Sequence, residues 1–209
     1  MKSIKRFLFF SICTVVLITL IPHSLKAEQI GEWSLVQQVD DLFLPDELNE
    51  PLASLSTVTA GISLALPLLP ITEALFSEMI PEENVILATS YQAAVYAGSL
   101  GLVYLSTELM KNSVSRYRPF PSVSEDPKKS FPSRHTALSF AAAAYQSVYL
   151  TFHENSTGMV VSVNVSSWSL AILSGYLRAA SGEHFMTDVI AGAVIGSLIG
   201  VAGGILSAL

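Results

Sequence analysis

The stretch that decides the fold is the last one, VIAGAVIGSLIGVAGGILSAL, spanning Val189 to Leu209 without a single Asp, Glu, Lys or Arg. At 1.5 Å per residue a helix of this length crosses a hydrocarbon core of about 30 Å, whereas a soluble helix would be shorter and carry a polar stripe at its own period. Gly192, Gly196, Gly200 and Gly204 recur every fourth residue, which lays a groove of small residues along one face for close helix contact. Working back towards the amino end, Asn155–Leu177, Thr136–His153, Asn84–Thr107, Pro51–Thr72 and Phe7–Leu25 are also free of charge, at 23, 18, 24, 22 and 19 residues. Six membrane-length segments leave little room in 209 residues for anything else. The expected fold class is therefore all-α: a polytopic membrane helical bundle of five to six transmembrane helices. Pro67 and Pro70 predict a kink in the Pro51–Thr72 segment.

Composition agrees with that reading and excludes others. Charged residues make up 13% of the chain, about half the share usual in soluble domains. Nucleic-acid binding needs a basic field, and the formal net charge here is −6. Glu28, Glu32, Asp40, Asp41, Asp46, Glu47 and Glu50 supply seven negative charges in a stretch with no Lys or Arg, so the rest of the chain carries +1. Cys13 is the single cysteine, which excludes an internal disulfide and a cysteine-based metal site.

Lys2, Lys5 and Arg6 precede the apolar run Phe7–Ile21, and Ser24-Leu25-Lys26-Ala27 succeeds it. Residues 1–27 read as a signal sequence or a first transmembrane helix, and either places the residues beyond Ala27 on the outer side. Residues 28–50, with Trp33, Leu35, Val36, Val39, Leu42 and Phe43 interleaved among the acids, read as an acidic amphipathic outer segment. Counting spans from there puts the turns Pro81–Asn84 and Glu154–Gly158 inside and the stretch Lys111–Arg134 outside. Lys111, Arg116, Arg118, Lys128, Lys129, Arg134 and Arg178 then gather on the outer side, against the usual bias of basic residues towards the cytoplasm. Cations kept at the unfavoured face imply a task there.

Their spacing suggests which task. Lys111 closes the third span, His135 opens the fourth, Arg178 closes the fifth and Asp188 opens the sixth, so four helix ends converge at one membrane face. The set of Lys111, Arg118, Ser133, His135, Arg178, His184 and Asp188 suits a tetrahedral oxyanion. Guanidinium groups grip phosphate oxygens in a fork, a lysine adds a point charge, and amides at the start of the fourth span point at the same anion. Neutralising the equatorial oxygens is the main work of phosphoryl transfer. His184 and Asp188 stand four apart, so on a helical turn the carboxylate can accept the Nδ1 proton and leave Nε2 free as a nucleophile. His135 can protonate the leaving oxygen and then activate water.

These residues form three ordered motifs, Lys-x6-Arg-Pro (Lys111–Pro119), Pro-Ser-x-His (Pro132–His135) and Arg-x5-His-x3-Asp (Arg178–Asp188). In that order they resemble the signature of the type 2 phosphatidic acid phosphatase superfamily, which includes lipid phosphate phosphatases, bacterial acid phosphatases and vanadium haloperoxidases. The resemblance implies that residues 51–209 form the phosphatase-like membrane domain. It implies a metal-independent phosphoric monoester hydrolase, without cofactor, that removes a terminal phosphate from a lipid phosphate or pyrophosphate through a phosphohistidine. By this likeness His184 is the nucleophile, Asp188 its orienting partner and His135 the general acid, with Lys111, Arg118, Ser133 and Arg178 on the phosphate. The family usually has Gly where Arg134 stands and Ser where Leu177 stands; a side chain at 134 either crowds the backbone approach to the phosphate or, as Arg134, adds a further phosphate-binding cation suited to a larger or doubly charged head group. The implied partners are a phosphorylated lipid and the bilayer, and the implied location is a bacterial cytoplasmic membrane with the site facing the periplasm or exterior. A catalytically impaired lipid-phosphate-binding protein, a haloperoxidase and a small-molecule transporter are the alternatives.

Overall fold

A computed structural model of the chain describes residues 34–69, 83–153 and 156–209. The expected signal or first span at 1–27 lies outside the described residues, as does Pro70. Six α-helices are described: α1 (Ser34–Leu42), α2 (Glu50–Ala65), α3 (Glu83–Val114), α4 (Arg134–His153), α5 (Thr157–Ala180) and α6 (Met186–Ser207), with a 3-10 turn at Pro121–Val123 in the α3–α4 connection. The described residues contain no strand, and the architecture is the all-helical membrane bundle expected from the charge-free runs.

Local chemistry sets the helix limits. Asn49 caps α2 by accepting the Leu52 amide at 3.0 Å, and Pro51 occupies the first turn where its missing N–H costs nothing. The same helix gives way to a turn at Leu66 and Pro67, the first of the two prolines expected to interrupt it. Ser156 caps α5 through the Met159 amide at 3.4 Å.

Helix α4 is the centre of the bundle, with α2, α3, α5 and α6 packed around it. Ala137, Ala141, Ala142, Ala143, Ala144 and Tyr145 are all buried along its length. The glycine groove of α6 faces this helix at backbone distance. A Cβ at Gly192, Gly196 or Gly200 would fall closer than 3.0 Å to the carbonyl oxygens of Ser133, Ala137 and Ala141 respectively. Only glycine permits that approach, and it brings the start of α6 against the start of α4.

Among the described residues, three helices are long and apolar enough to cross a membrane on their own: Ile86–Val114, Thr157–Ala180 and Met186–Ser207. They turn Leu87, Leu105, Leu109, Val165, Ile172, Val194 and Leu198 outward, as lipid-facing surfaces do. Helix α4 differs for a physical reason. Its neighbours shield it, so its Ser, Gln and Tyr side chains find partners inside the bundle and need not be apolar. The protein is an integral membrane protein of this type.

Helix α1 carries part of the acidic segment. Leu35 and Leu42 are 73% and 76% exposed, whereas Asp40 is buried against the start of α6. One acid of the segment thus points into the protein.

Candidate active site

The helix ends meet as their sequence positions imply. Lys111 lies in the last turn of α3, Arg178 in the last turn of α5, His135 at the start of α4 and Asp188 in the first turn of α6. Ser133 sits just before α4, accepting the Ala137 amide at 3.0 Å and donating its own amide to the Asp188 carbonyl at 3.0 Å. That backbone bond ties the α4 entrance to the α6 entrance. Its hydroxyl lies 2.9 Å from Thr136 Oγ1.

The cations are unusually buried. Lys111 and Arg178 are each 5% exposed, a condition that long basic side chains accept only when paired or binding an anion. Lys111 Nζ donates to the carbonyls of Lys129 and Ser130, at 2.6 and 3.4 Å, and so pins the α3–α4 connection. Arg118 donates from Nη1 to the Glu183 carbonyl at 3.0 Å and forms an ion pair with the Glu183 carboxylate. The same carboxylate oxygen accepts from Arg178 Nη2 at 3.2 Å, while Arg178 Nη1 reaches Ser56 of α2 at 3.2 Å. Arg178 Nε is buried and has no hydrogen-bond partner among the described residues. Leaving such a donor unmade is costly, so an anion-binding use is the natural account of it.

Both histidines lie in this field of positive charge. His184 is buried, and desolvation pushes its imidazole well below the ordinary histidine range, with Arg178, Lys111, Arg118 and His135 adding to the shift. It is therefore neutral at neutral pH. His135 feels Arg178, Arg134, Lys111 and Arg118, so the two imidazoles share one set of cations.

One expected contact needs correction. His184 precedes α6, which begins at Met186, so the i,i+4 geometry of a helix does not apply. Its Nδ1 stands 3.8 Å from Asp188 Oδ2, beyond hydrogen-bond reach. Ser130 fills the gap: its hydroxyl donates to Asp188 Oδ2 at 2.6 Å and lies 3.5 Å from His184 Nδ1. The Phe185 amide also donates to Oδ2, at 3.1 Å. Arg134 is engaged elsewhere, paired with Glu108 at 3.2 Å and set 4.7 Å from the Tyr104 ring centroid at the rim.

No motif assigns a role to Ser130, Glu183, Glu108, Asp40 or Arg116. Arg116 is buried and donates from Nη1 to Asp188 Oδ1 at 2.6 Å and from Nη2 to Asp40 Oδ2 at 2.5 Å, with Phe185 against its guanidinium. It counts among the seven outer cations, and its place two residues before Arg118 in a chain that avoids charge is the available signal.

The family model of the PAP2 superfamily matches residues 92–203, more than half the chain and all three motifs. The chain belongs to the PAP2 superfamily. It is 28% identical over 115 residues to a PA-phosphatase related-family protein of Dictyostelium discoideum, a match covering 48% of this chain and 42% of that relative. The match thus spans less than half the relative's length. Among solved structures it is similar to LpxE of Aquifex aeolicus, at a TM-score of 0.53 and 22% identity over 83% of this chain and 97% of that one. It is also similar to the first transmembrane PAP2 type phosphatidylglycerolphosphate phosphatase from Bacillus subtilis, at a TM-score of 0.57 and 19% identity over 98% and 92%. At those identities the likeness establishes the fold alone.

Proposed function

We propose that this chain is a membrane phosphatase that hydrolyses the terminal phosphate of a lipid phosphate or pyrophosphate through a phosphohistidine on His184. The observation that carries the reading is the convergence of buried Lys111 and Arg178 and half-buried Arg118 on two histidines at one end of the bundle, with Arg178 Nε unpaired. Lys111, Arg118, Arg178 and Ser133 hold the phosphoryl oxygens, and the first-turn amides of α4 point at the same charge. Arg134 stands at the rim, where a head group passes.

The chemistry starts from the proton positions. If His184 Nδ1–H donates towards Ser130 Oγ, whose own proton goes to Asp188, the Nε2 lone pair is free. Nε2 attacks phosphorus, the P–O bond to the lipid breaks, and His135, which holds a proton once the bound phosphate has offset the surrounding cations, gives that proton to the leaving oxygen. Water then attacks the phosphohistidine while His135 takes its proton; the P–N bond breaks and inorganic phosphate leaves. The cations supply the charge neutralisation, and the reading requires no metal. By span counting the site faces the periplasm or exterior of a bacterial cytoplasmic membrane. The phosphorylated lipid then reaches the site from the outer leaflet.

Purified protein in detergent is expected to release phosphate from a panel of phosphatidate, phosphatidylglycerol phosphate, isoprenyl pyrophosphate and lipid A in EDTA, and to be blocked by vanadate. His184→Ala should abolish release; full activity in that variant overturns the mechanism. Saturable binding of these lipids by the wild type without turnover favours a binding protein of the same fold.

A further inference from the structure

Asp40 belongs to the acidic segment that no motif explains, yet it is 4% exposed and makes four contacts at the entrance to α6. Its Oδ1 accepts the Thr187 amide at 2.9 Å and the Thr187 hydroxyl at 2.8 Å. Its Oδ2 accepts Arg116 Nη2 at 2.5 Å and lies 3.0 Å from the same hydroxyl. Arg116 in turn donates to Thr187 Oγ1 at 2.8 Å and to Asp188 at 2.6 Å. One buried guanidinium is therefore shared between a carboxylate from α1 and the carboxylate behind His184. We propose that Asp40 and Arg116 are positioning residues: together they hold Asp188 in place and preserve its strength as a proton acceptor towards Ser130 and His184, which makes α1 part of the active site. The proposal rests on the phosphatase reading of this same site.

The effect is electrostatic. With both carboxylates ionised, Arg116, Asp40 and Asp188 sum to one negative charge, and that surplus faces Ser130 and the His184 imidazole, which gains positive character as Nε2 bonds to phosphorus. Remove the charge on Asp40 and Arg116 answers to Asp188 alone; the cluster becomes neutral and Asp188 a weaker acceptor. In a water-poor site this difference is felt strongly. Merely starting α6 does not need a charge at this position, because asparagine accepts helix amides about as well as aspartate. The forked geometry also needs arginine, since a lysine cannot reach two carboxylates in one plane.

Asp40→Asn separates the two roles, because it keeps an acceptor for Thr187 while removing the charge and the second acceptor that faces Arg116. In detergent with a lipid phosphate, it is expected to lower kcat by about tenfold or more with KM within about twofold, the loss typical of a partner standing behind a catalytic group. Arg116→Lys should show the same split, and Asp41→Asn, an exposed neighbour on α1, should leave kcat unchanged. Thermal unfolding assigns any loss due to misfolding. Unchanged kcat in Asp40→Asn overturns the proposal, and so does a loss fully explained by a smaller folded fraction. Should the wild type show no turnover, the phosphatase reading fails, and nitrogen NMR of ¹⁵N-labelled His184 still decides the positioning claim. A wild-type Nδ1–H tautomer that becomes mixed in Asp40→Asn supports it, and identical spectra overturn it.

Discussion

Helices α4 and α6 hold each other by two different means along one interface. Through the bundle they touch backbone to backbone, with Gly196 and Gly200 against the carbonyls of Ala137 and Ala141. At the active-site end the same pair is joined through polar groups: the Ser133–Asp188 backbone bond, beside the ion pair from Arg116 of the α3–α4 connection to Asp188, with Arg116 paired in turn to Asp40 of α1. The first region is fixed by the absence of side chains and admits no exchange of partners. The second is fixed by charges that can trade one anion for another. That difference suits the proposed phosphatase, in which a rigid seam would hold the frame while the charged end exchanges phosphate.

The most severe perturbation adds one carbon to the seam. In Gly196→Ala the new Cβ would start far inside van der Waals contact with the Ala137 carbonyl oxygen, so the two helices must move apart. Overpacking of this kind costs about 1–3 kcal/mol, and more where backbone itself must move. Gly196→Leu is expected to yield no monodisperse protein in detergent. Gly101, on the outer face of α3, has nothing within 4 Å of an added Cβ, so Gly101→Ala should be neutral or stabilise by up to about 1 kcal/mol in thermal unfolding. Equal outcomes at the two glycines would refute the account of the seam.

At the charged end, exchange is the expectation. The Glu183 carboxylate pairs with both Arg118 and Arg178, where a phosphate would otherwise be gripped. Glu183→Gln removes that competitor while keeping a similar shape. Vanadate inhibition and KM for a lipid phosphate should tighten by about three- to tenfold, a modest gain because the carboxylate is a quarter exposed. Weaker vanadate binding would show that Glu183 orients the arginines rather than competing for them.

Sensitivity to pH should also reside at this end, since the Gly–Ala seam carries no titratable group. Burial keeps folded His184 neutral well below the ordinary histidine value of 6.5, whereas the unfolded chain takes up a proton near that value. The unfolded state then binds more protons, so stability falls as pH drops below about 6.5. Between about pH 7.5 and about pH 5.5 the thermal midpoint of the wild type should fall further than that of His184→Phe. Parallel curves would place the acid sensitivity elsewhere.

Much of this is readable from spacing alone. Long charge-free runs specify membrane helices because burying an unpaired charge in lipid is prohibitive, and Gly192 to Gly204 announce a close seam because only their period places them on one face. Lys111, His135, Arg178 and Asp188 are legible because each adjoins a helix end, and Arg118 because its motif ties it to Lys111. What spacing does not supply is the partner of each charge. A direct Asp188–His184 bond requires α6 to begin two residues earlier than it does; the helix starts at Met186, and Ser130 occupies the intervening place. Asp40 meets Arg116 across 76 residues of chain, Glu108 meets Arg134 across 26 and Glu183 meets Arg118 across 65, and no local pattern encodes such pairings. Arg134 reads as a phosphate ligand because it falls inside a motif, although its guanidinium turns to Glu108 and Tyr104.

Arg134 also provides the gentlest test. Its side chain is 33% exposed, against 6% for Arg178. A partly exposed ion pair is worth about 0–1 kcal/mol, and a cation over a tyrosine at such a site about 0.5–1 kcal/mol. Arg134→Gly, which installs the residue usual in the family, removes both and leaves the neighbouring cations untouched. The thermal midpoint should move by no more than a few degrees, and kcat should hold. KM should rise by less than about threefold, and unequally across lipids with different head groups, because a rim charge steers the approach of substrate more than it stabilises the transition state. A large fall in kcat would mean that Arg134 leaves Glu108 and grips the transferring phosphoryl group, which would move it from the rim into the exchangeable set with Arg118 and Arg178.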